Sequence, residues 1–251
     1  MFNTIKNAWK IPDLRKKILY TLLIIIVFRF GSVIPVPFLD ISKLGELMSE
    51  AGQNSALGYI NMLTGGAFSY ASLFAMGITP YINSSIIMQL LTIAIPPLER
   101  LSKEGEEGRK KIATITRYVT VVLGLIQGVA YYFYLRNSGI TKYSAGGAGV
   151  FTAFVIVLTF TAGTALIMWM GELITQRGVG NGMSLIIFTS IVVSVPSAIF
   201  SSINLQSDLG MGIATTVFIL LIVLVSIPAI IFVERAQRRI PVSYAKRVQG
   251  R

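Results

Sequence analysis

Three glycines in one short run, Gly178, Gly180 and Gly182, form the spacing in this chain that most invites a chemical reading. A phosphate-cradling loop would need a strand before them and a Gly-Lys-Ser/Thr after them. Met183 and Ser184 follow instead, so the glycines read as a tight turn between two helices, with Glu172 and Arg177 beside it pairing or facing water. Acid–base chemistry usually needs a placed pair of groups, and no second acid lies near Glu172 in the sequence. The chain has no histidine and no cysteine. The commonest general base, the thiolate nucleophile and the usual soft metal ligands are therefore missing, and neither an enzymatic role nor a metal or cofactor is expected.

The remaining polar chemistry is amide and hydroxyl set in apolar surroundings. From Ala51 to Leu98 there is no charged side chain, yet Asn54, Asn61, Gly65, Gly66, Asn83, Ser84, Ser85 and Gln89 all fall within it. A span needs about 20 apolar residues. Tyr70 to Pro96 can supply one span; Leu57 to Ser69, with its glycine pair, cannot supply another. The economical reading is a half-helix that enters the membrane depth and turns back at Gly65-Gly66, the alternative being an external loop lying on the surface. Irregular backbone at membrane depth is tolerated only where protein buries it or where it lines a cavity, so the first reading points to a pathway through the bilayer.

The elements that must position these residues follow from hydropathy. Apolar residues make up 53% of the chain and charged residues 13%, with mean hydropathy +0.70, which excludes an ordinary soluble domain. Six spans are expected: 18–36, 70–96, 118–135, 150–171, 183–203 and 211–233. The Ile34-Pro35-Val36-Pro37 run should stop the first. Arg29, near its end, is expected to snorkel to the outer interface. Asp40, Lys43, Glu46 and Glu50 are expected in an outside loop, and the charge block from Glu99 to Arg117 in an inside one. Of the 22 Lys and Arg, only Lys43, Arg136 and Lys142 fall outside on this topology, with Arg29 in the membrane. That asymmetry puts both ends of the chain in the cytoplasm and absorbs most of the +11 charge without nucleic acid.

Two long stretches carry a family likeness. Ser72 to Leu91, SLFAMGITPYINSSIIMQLL, and Trp169 to Ile187, WMGELITQRGVGNGMSLII, resemble signatures of the SecY family, the channel subunits of bacterial Sec translocons. Arg29-Phe30-Gly31 followed by IPVP is similar to that family's first span, although Phe38 stands where a glycine is expected. The resemblance runs from about Leu14 to Arg251. It implies an all-α integral membrane protein with six transmembrane helices and a re-entrant, plug-like half-helix, the first half of an inverted-repeat ten-helix channel. Residues 1–17 would be an interfacial segment, 18–203 the first five-helix half with its plug at 57–69, 204–233 the sixth helix, and 234–251 the start of a cytoplasmic loop.

The same resemblance gives roles to residues that are ambiguous by pattern. Ile78, Ile82 and Ile86 form one helical stripe, as do Met183, Ile187 and Ile191, and such stripes ordinarily face lipid. By resemblance Ile78, Ile82 and Ile187, with Met183 as a further candidate, would belong to the aliphatic ring of a closed pore, above a plug that includes Leu57, Gly65, Gly66 and Ser69. Asn83, Gln89 and Gln127 are either interhelical hydrogen-bonding groups or parts of a lateral gate. Arg235, Arg238, Arg239, Lys246, Arg247 and Arg251 would meet anionic lipid and, by resemblance, a SecA motor or a ribosome. Small subunits like SecE and SecG, the other half of the channel and a secretory preprotein complete the implied partners. The competing function is secondary transport of a small solute, against which stands the shortage of ionisable groups at mid-depth.

Overall fold

The computed structural model describes residues 11–51, 56–143, 145–204 and 209–237. Among them there are nine helices: α1 Pro12–Gly31, α2 Ile41–Ala51, α3 Ala56–Leu63, α4 Thr79–Ala94, α5 Pro96–Lys103, α6 Glu106–Asn137, α7 Gly146–Arg177, α8 Gly182–Asn204 and α9 Leu209–Glu234. A body that runs to Val195 and a smaller unit beginning at Pro196 are each compact. In the first, α7 packs along α6 and α1, and α4 lies against α6. Gly124 and Gly128 of α6 face Thr164, Thr161 and the Val157 carbonyl of α7, close enough that the backbones approach as small residues allow in membrane helix pairs. In the second unit, α9 is apolar and exposed nearly all round, which a helix tolerates only in a non-aqueous surrounding.

Proline sets several helix limits. Pro12, Pro80 and Pro96 each occupy a first-turn position, where a missing N–H leaves no bond unmade. The residue before a proline is driven out of helical geometry, and Ile95, at φ −108° and ψ 112°, shows it. The chain accordingly bends by 100° between α4 and α5. Glu106–Asn137, Gly146–Arg177 and Gly210–Glu234 are each long and apolar enough to cross a membrane, and α4 with α5 would count as a fourth across the bend. The span of α1 is less plain, since it carries Arg15, Lys16, Lys17 and Arg29, while α8 is apolar from Gly182 to Ser197.

The structure corrects several expected limits. Tyr70 to Ile78 is a chain of turns and not the first part of a span, because Gly77 at φ +57° cannot continue a helix and α4 starts only at Thr79. The two charged segments expected as loops are largely helical. Glu106 to Arg117 continues α6 and Glu172 to Arg177 continues α7, since ionised side chains in water do not hinder a helix already nucleated by its apolar part. Likewise 41–51 is the helix α2 and not a loop, with Leu44 fully buried. The first span stops at Gly31, three residues before the first proline-preceding residue, with the Ser32 hydroxyl donating to the Phe28 carbonyl at 2.9 Å.

Candidate functional site

The re-entrant segment is built from the inside of its turn outward. Gly65 and Gly66 sit at φ +64° and +86°, in the left-handed region that other residues enter only with strain. That pair reverses the chain after α3. Asn61 then fixes the reversal: its side-chain oxygen accepts from the Ser69 N–H at 3.0 Å and the Ser69 hydroxyl at 2.6 Å, while its carbonyl accepts from the Gly66 N–H at 2.8 Å. Thr64 reaches back to the carbonyls of Ile60 and Asn61. The half-helix is therefore present, though only Ala56–Leu63 of it is helical; Leu57 lies within it, its side chain outside the described residues.

Downstream, the segment is clasped by the extended chain after α1. Because prolines 35 and 37 keep that chain extended, Ile34 can accept from the Leu73 N–H and Val36 can donate to the Ala71 carbonyl, both at 2.9 Å. The Leu73 carbonyl also lies so close to Gly163 of α7 that any side chain there would strike it. Phe28 stacks on Phe74 with ring centroids 5.6 Å apart, and Phe68 meets Tyr131 of α6 at 4.9 Å. Phe38, expected to be glycine, holds a glycine-like φ of +69°, and its ring contacts Tyr143 and Phe151 edge-on.

Arg29, expected to reach for an interface, has a partner within the protein. Its Nη1 donates to the Gly65 carbonyl at 2.8 Å, and it forms no ion pair among the described residues. Gly65 is also pressed against the Ser190 backbone of α8: an added Cβ would come within 2.9 Å of the Ser190 carbonyl oxygen and 3.4 Å of the Arg29 Nη1.

The isoleucines are brought together only in part. Ile78, the residue capping α4, packs half-buried against a cluster of Ile24, Phe28, Phe74, Ile167 and Ile186. Ile82 is 37% exposed one turn on, and Ile187 is half-buried beside core residue Ile186. Met183 has its sulfur against Gly171, so it fills the α7–α8 contact. Asn83 and Gln89 are exposed and Gln127 half-buried; among the described residues none of them joins two helices. Ser84 does so instead, donating to the Thr116 carbonyl at 2.9 Å in a fully buried position.

At the elbow formed by α4 and α5, Glu172 pairs with Arg117, 55 residues earlier, at 2.6 Å; of the expected alternatives, pairing with Arg177 is not seen, and Arg177 is exposed. The pair borders a cavity of about 350 Å³ lined by Tyr81, Ser85, Gln89, Thr92 and Arg109. The Gly178–Gly182 turn is capped on both sides. Val179 donates to Thr21 of α1, Gly182 donates to Thr175, and the Asn181 side chain accepts from Met183 and Ser184 to start α8. Of the basic tail, Arg235 is exposed; Arg238, Arg239, Lys246, Arg247 and Arg251 lie outside the described residues, as do residues 1–10.

Asn61, Ser84 and Arg117 are visible in the sequence, but the bonds they make are not. An asparagine in a short uncharged helix was a signal for the first, while the partners of Ser84 and Arg117 are too distant in sequence for any local pattern to show.

Comparison with known proteins fits this geometry. The chain is 45% identical over 258 residues to the protein translocase subunit SecY of Streptomyces scabiei and 42% identical over 253 residues to that of Thermus thermophilus. Both alignments cover 100% of this chain but only 59% and 58% of those proteins, so the chain spans under two thirds of the curated relatives' length. The solved structure of Sec61 in the canine ribosome–channel complex from the endoplasmic reticulum aligns over 95% of this chain and 54% of its own, with TM-score 0.54 and 16% identity, a likeness of fold. The all-α fold is thus that of the first part of such a channel, in a membrane protein. Since the SecY family model also matches residues 72–251, more than half of the chain, the chain belongs to the SecY family.

Proposed function

We propose that this chain is the N-terminal part of a protein-conducting channel that passes secretory proteins across the bacterial plasma membrane and inserts membrane proteins into it. The observation that carries the reading is a turn of uncharged residues, reversed at Gly65-Gly66 and held between α1 and α8. Such a turn has no use in a plain helical bundle, but it closes a passage. Leu57, Gly65, Gly66 and Ser69 belong to the plug on this reading, and Ile78, Ile82 and Ile187 to the ring, with Met183 behind it. An aliphatic constriction stops ions by making water and hydrated charge unfavourable, yet yields to a chain passing through.

Asn83, Gln89 and Gln127 stay available to a moving partner, as a lateral gate requires, because Ser84 carries the fixed interhelical bond. Residues 18–203 form the first five-helix half, 204–233 the sixth helix and 234–251 the start of a cytoplasmic loop. Both ends of this chain face the cytoplasm, where the tail arginines and Lys246 meet anionic lipid and a SecA motor or ribosome. SecE- and SecG-like subunits and the other channel half complete the assembly. Solute transport draws no support from the family likeness. Reconstituted with the remaining half and a motor, the protein should move a secretory precursor into vesicles and should not accumulate radiolabelled small solutes; the reverse result would refute the reading.

A further inference from the structure

We propose that Arg29 is a positioning residue for the plug: its guanidinium latches the turn at Gly65 into its seat against Ser190. The proposal rests on the reading of Leu57 to Ser69 as a movable plug. The segment divides at its glycine pair. After it, Ala67 and Phe68 are buried, Phe68 lies on Tyr131, and Ala71 and Leu73 are bonded to the chain at Ile34 and Val36, so this part is fixed. Before it, α3 packs against the neighbouring α2 and leaves Tyr59, Ile60, Met62 and Leu63 exposed. Two consecutive left-handed glycines form the natural hinge between those halves, and turning about it also breaks the Asn61–Ser69 bonds that close the reversal.

At the hinge, one side chain from a distant element reaches in. Arg29 comes from α1, 36 residues away, and bonds the Gly65 carbonyl at 2.8 Å, while the Ser190 backbone of α8 packs against the same glycine. An arginine at this depth without a carboxylate must find its partner among backbone carbonyls. Swinging α3 away from its seat takes that partner from the guanidinium, so the charge itself resists opening. A lysine can still donate to the same carbonyl as a point charge, whereas a methionine can only fill space. The reporter for the seat is Ser190, which is 4% exposed beneath the turn.

The test uses the full-length protein with its membrane partners in vesicles, carrying Ser190→Cys as the sole reactive thiol. Two quantities are read without a motor: ion leak, and the rate of labelling by a membrane-impermeant thiol reagent. Arg29→Met should raise both by roughly tenfold, the factor expected on losing one charge-assisted hydrogen bond, and Arg29→Lys should fall between it and the parent. Parent-level leak and labelling in Arg29→Met, with both raised on deleting residues 57–69, overturns the latch and leaves the plug standing. If the deletion changes neither, the plug reading fails and the latch with it. Should Arg29→Met not assemble, Arg29→Gln, whose amide is too short to keep the bond, is read in the same way: a rise supports the latch and none overturns it.

Discussion

The two ends of the α6–α7 pair are built from different materials. At the end beside the re-entrant turn, Leu135, Tyr132, Ile156 and Phe160 are buried with Val36, Leu39, Leu44 and Ile140 in one apolar cluster. At the elbow end, the same two helices meet through the Arg117–Glu172 pair beside a cavity of about 350 Å³, with Lys103–Glu99 and Lys111–Glu104 on the surface. Close-packed apolar contact yields little without a large energetic penalty. Ion pairs open to solvent rearrange at low cost, and their strength depends on salt. One end is thus built to keep its geometry and the other to be reshaped at low cost.

Substitutions at each end test the contrast. Phe160→Ala, at a fully buried position, should destabilise the protein by about 3–5 kcal/mol in thermal or denaturant unfolding in detergent. A loss no larger than that at the elbow would erase the distinction. Gly163→Ala places a methyl against the Leu73 carbonyl and should lose about 1–3 kcal/mol through overpacking. Because the strain falls on the clasp of the re-entrant turn, proteolysis near residue 70 should quicken as well.

At the elbow, a double-mutant cycle with Arg117→Met and Glu172→Gln should return a coupling of about 1 kcal/mol or less, since the arginine is 43% exposed. It should shrink further in high salt; a salt-independent coupling of several kcal/mol would make this end as rigid as the other. The smallest effect is expected at Glu99. Its hydrogen bond from Lys103 holds the carboxyl below the usual glutamate range. A lowered folded-state value means that the pair's contribution is complete above the ordinary carboxylate range and fades as pH falls through the lowered value. Lys103→Met should move the Glu99 titration midpoint upward by NMR and leave global unfolding unchanged.

Sequence alone reveals the apolar end better than the elbow. The uncharged run with Gly65-Gly66 is legible because backbone at membrane depth obeys strict rules of length and polarity. The Gly178–Gly182 turn is legible for its glycines. The extents of α6 and α7 are not, since a hydropathy window ends where charge begins while the hydrogen-bonded helix does not. Pairings across long sequence distances, Arg29 with Gly65 and Arg117 with Glu172, are invisible because either arginine reads locally as an interfacial cation. Phe38 shows the opposite difficulty: its departure from glycine is visible, but that the fold keeps the left-handed turn regardless is not.

Helix α6 runs 32 residues without a break, about 48 Å at 1.5 Å per residue, whereas the hydrocarbon layer is about 30 Å thick. Roughly 18 Å of it must stand clear of the lipid or be taken up by tilt, and its charged first turns, Glu106 to Lys111, are the part suited to water. A rod of that kind is a lever arm. A push on its wet end would travel along one ladder of hydrogen bonds toward Gly124 and Gly128, where α6 lies close against Thr164 and Val157 of α7. A molecule bound to that wet end would thereby have mechanical purchase on the helices within the membrane.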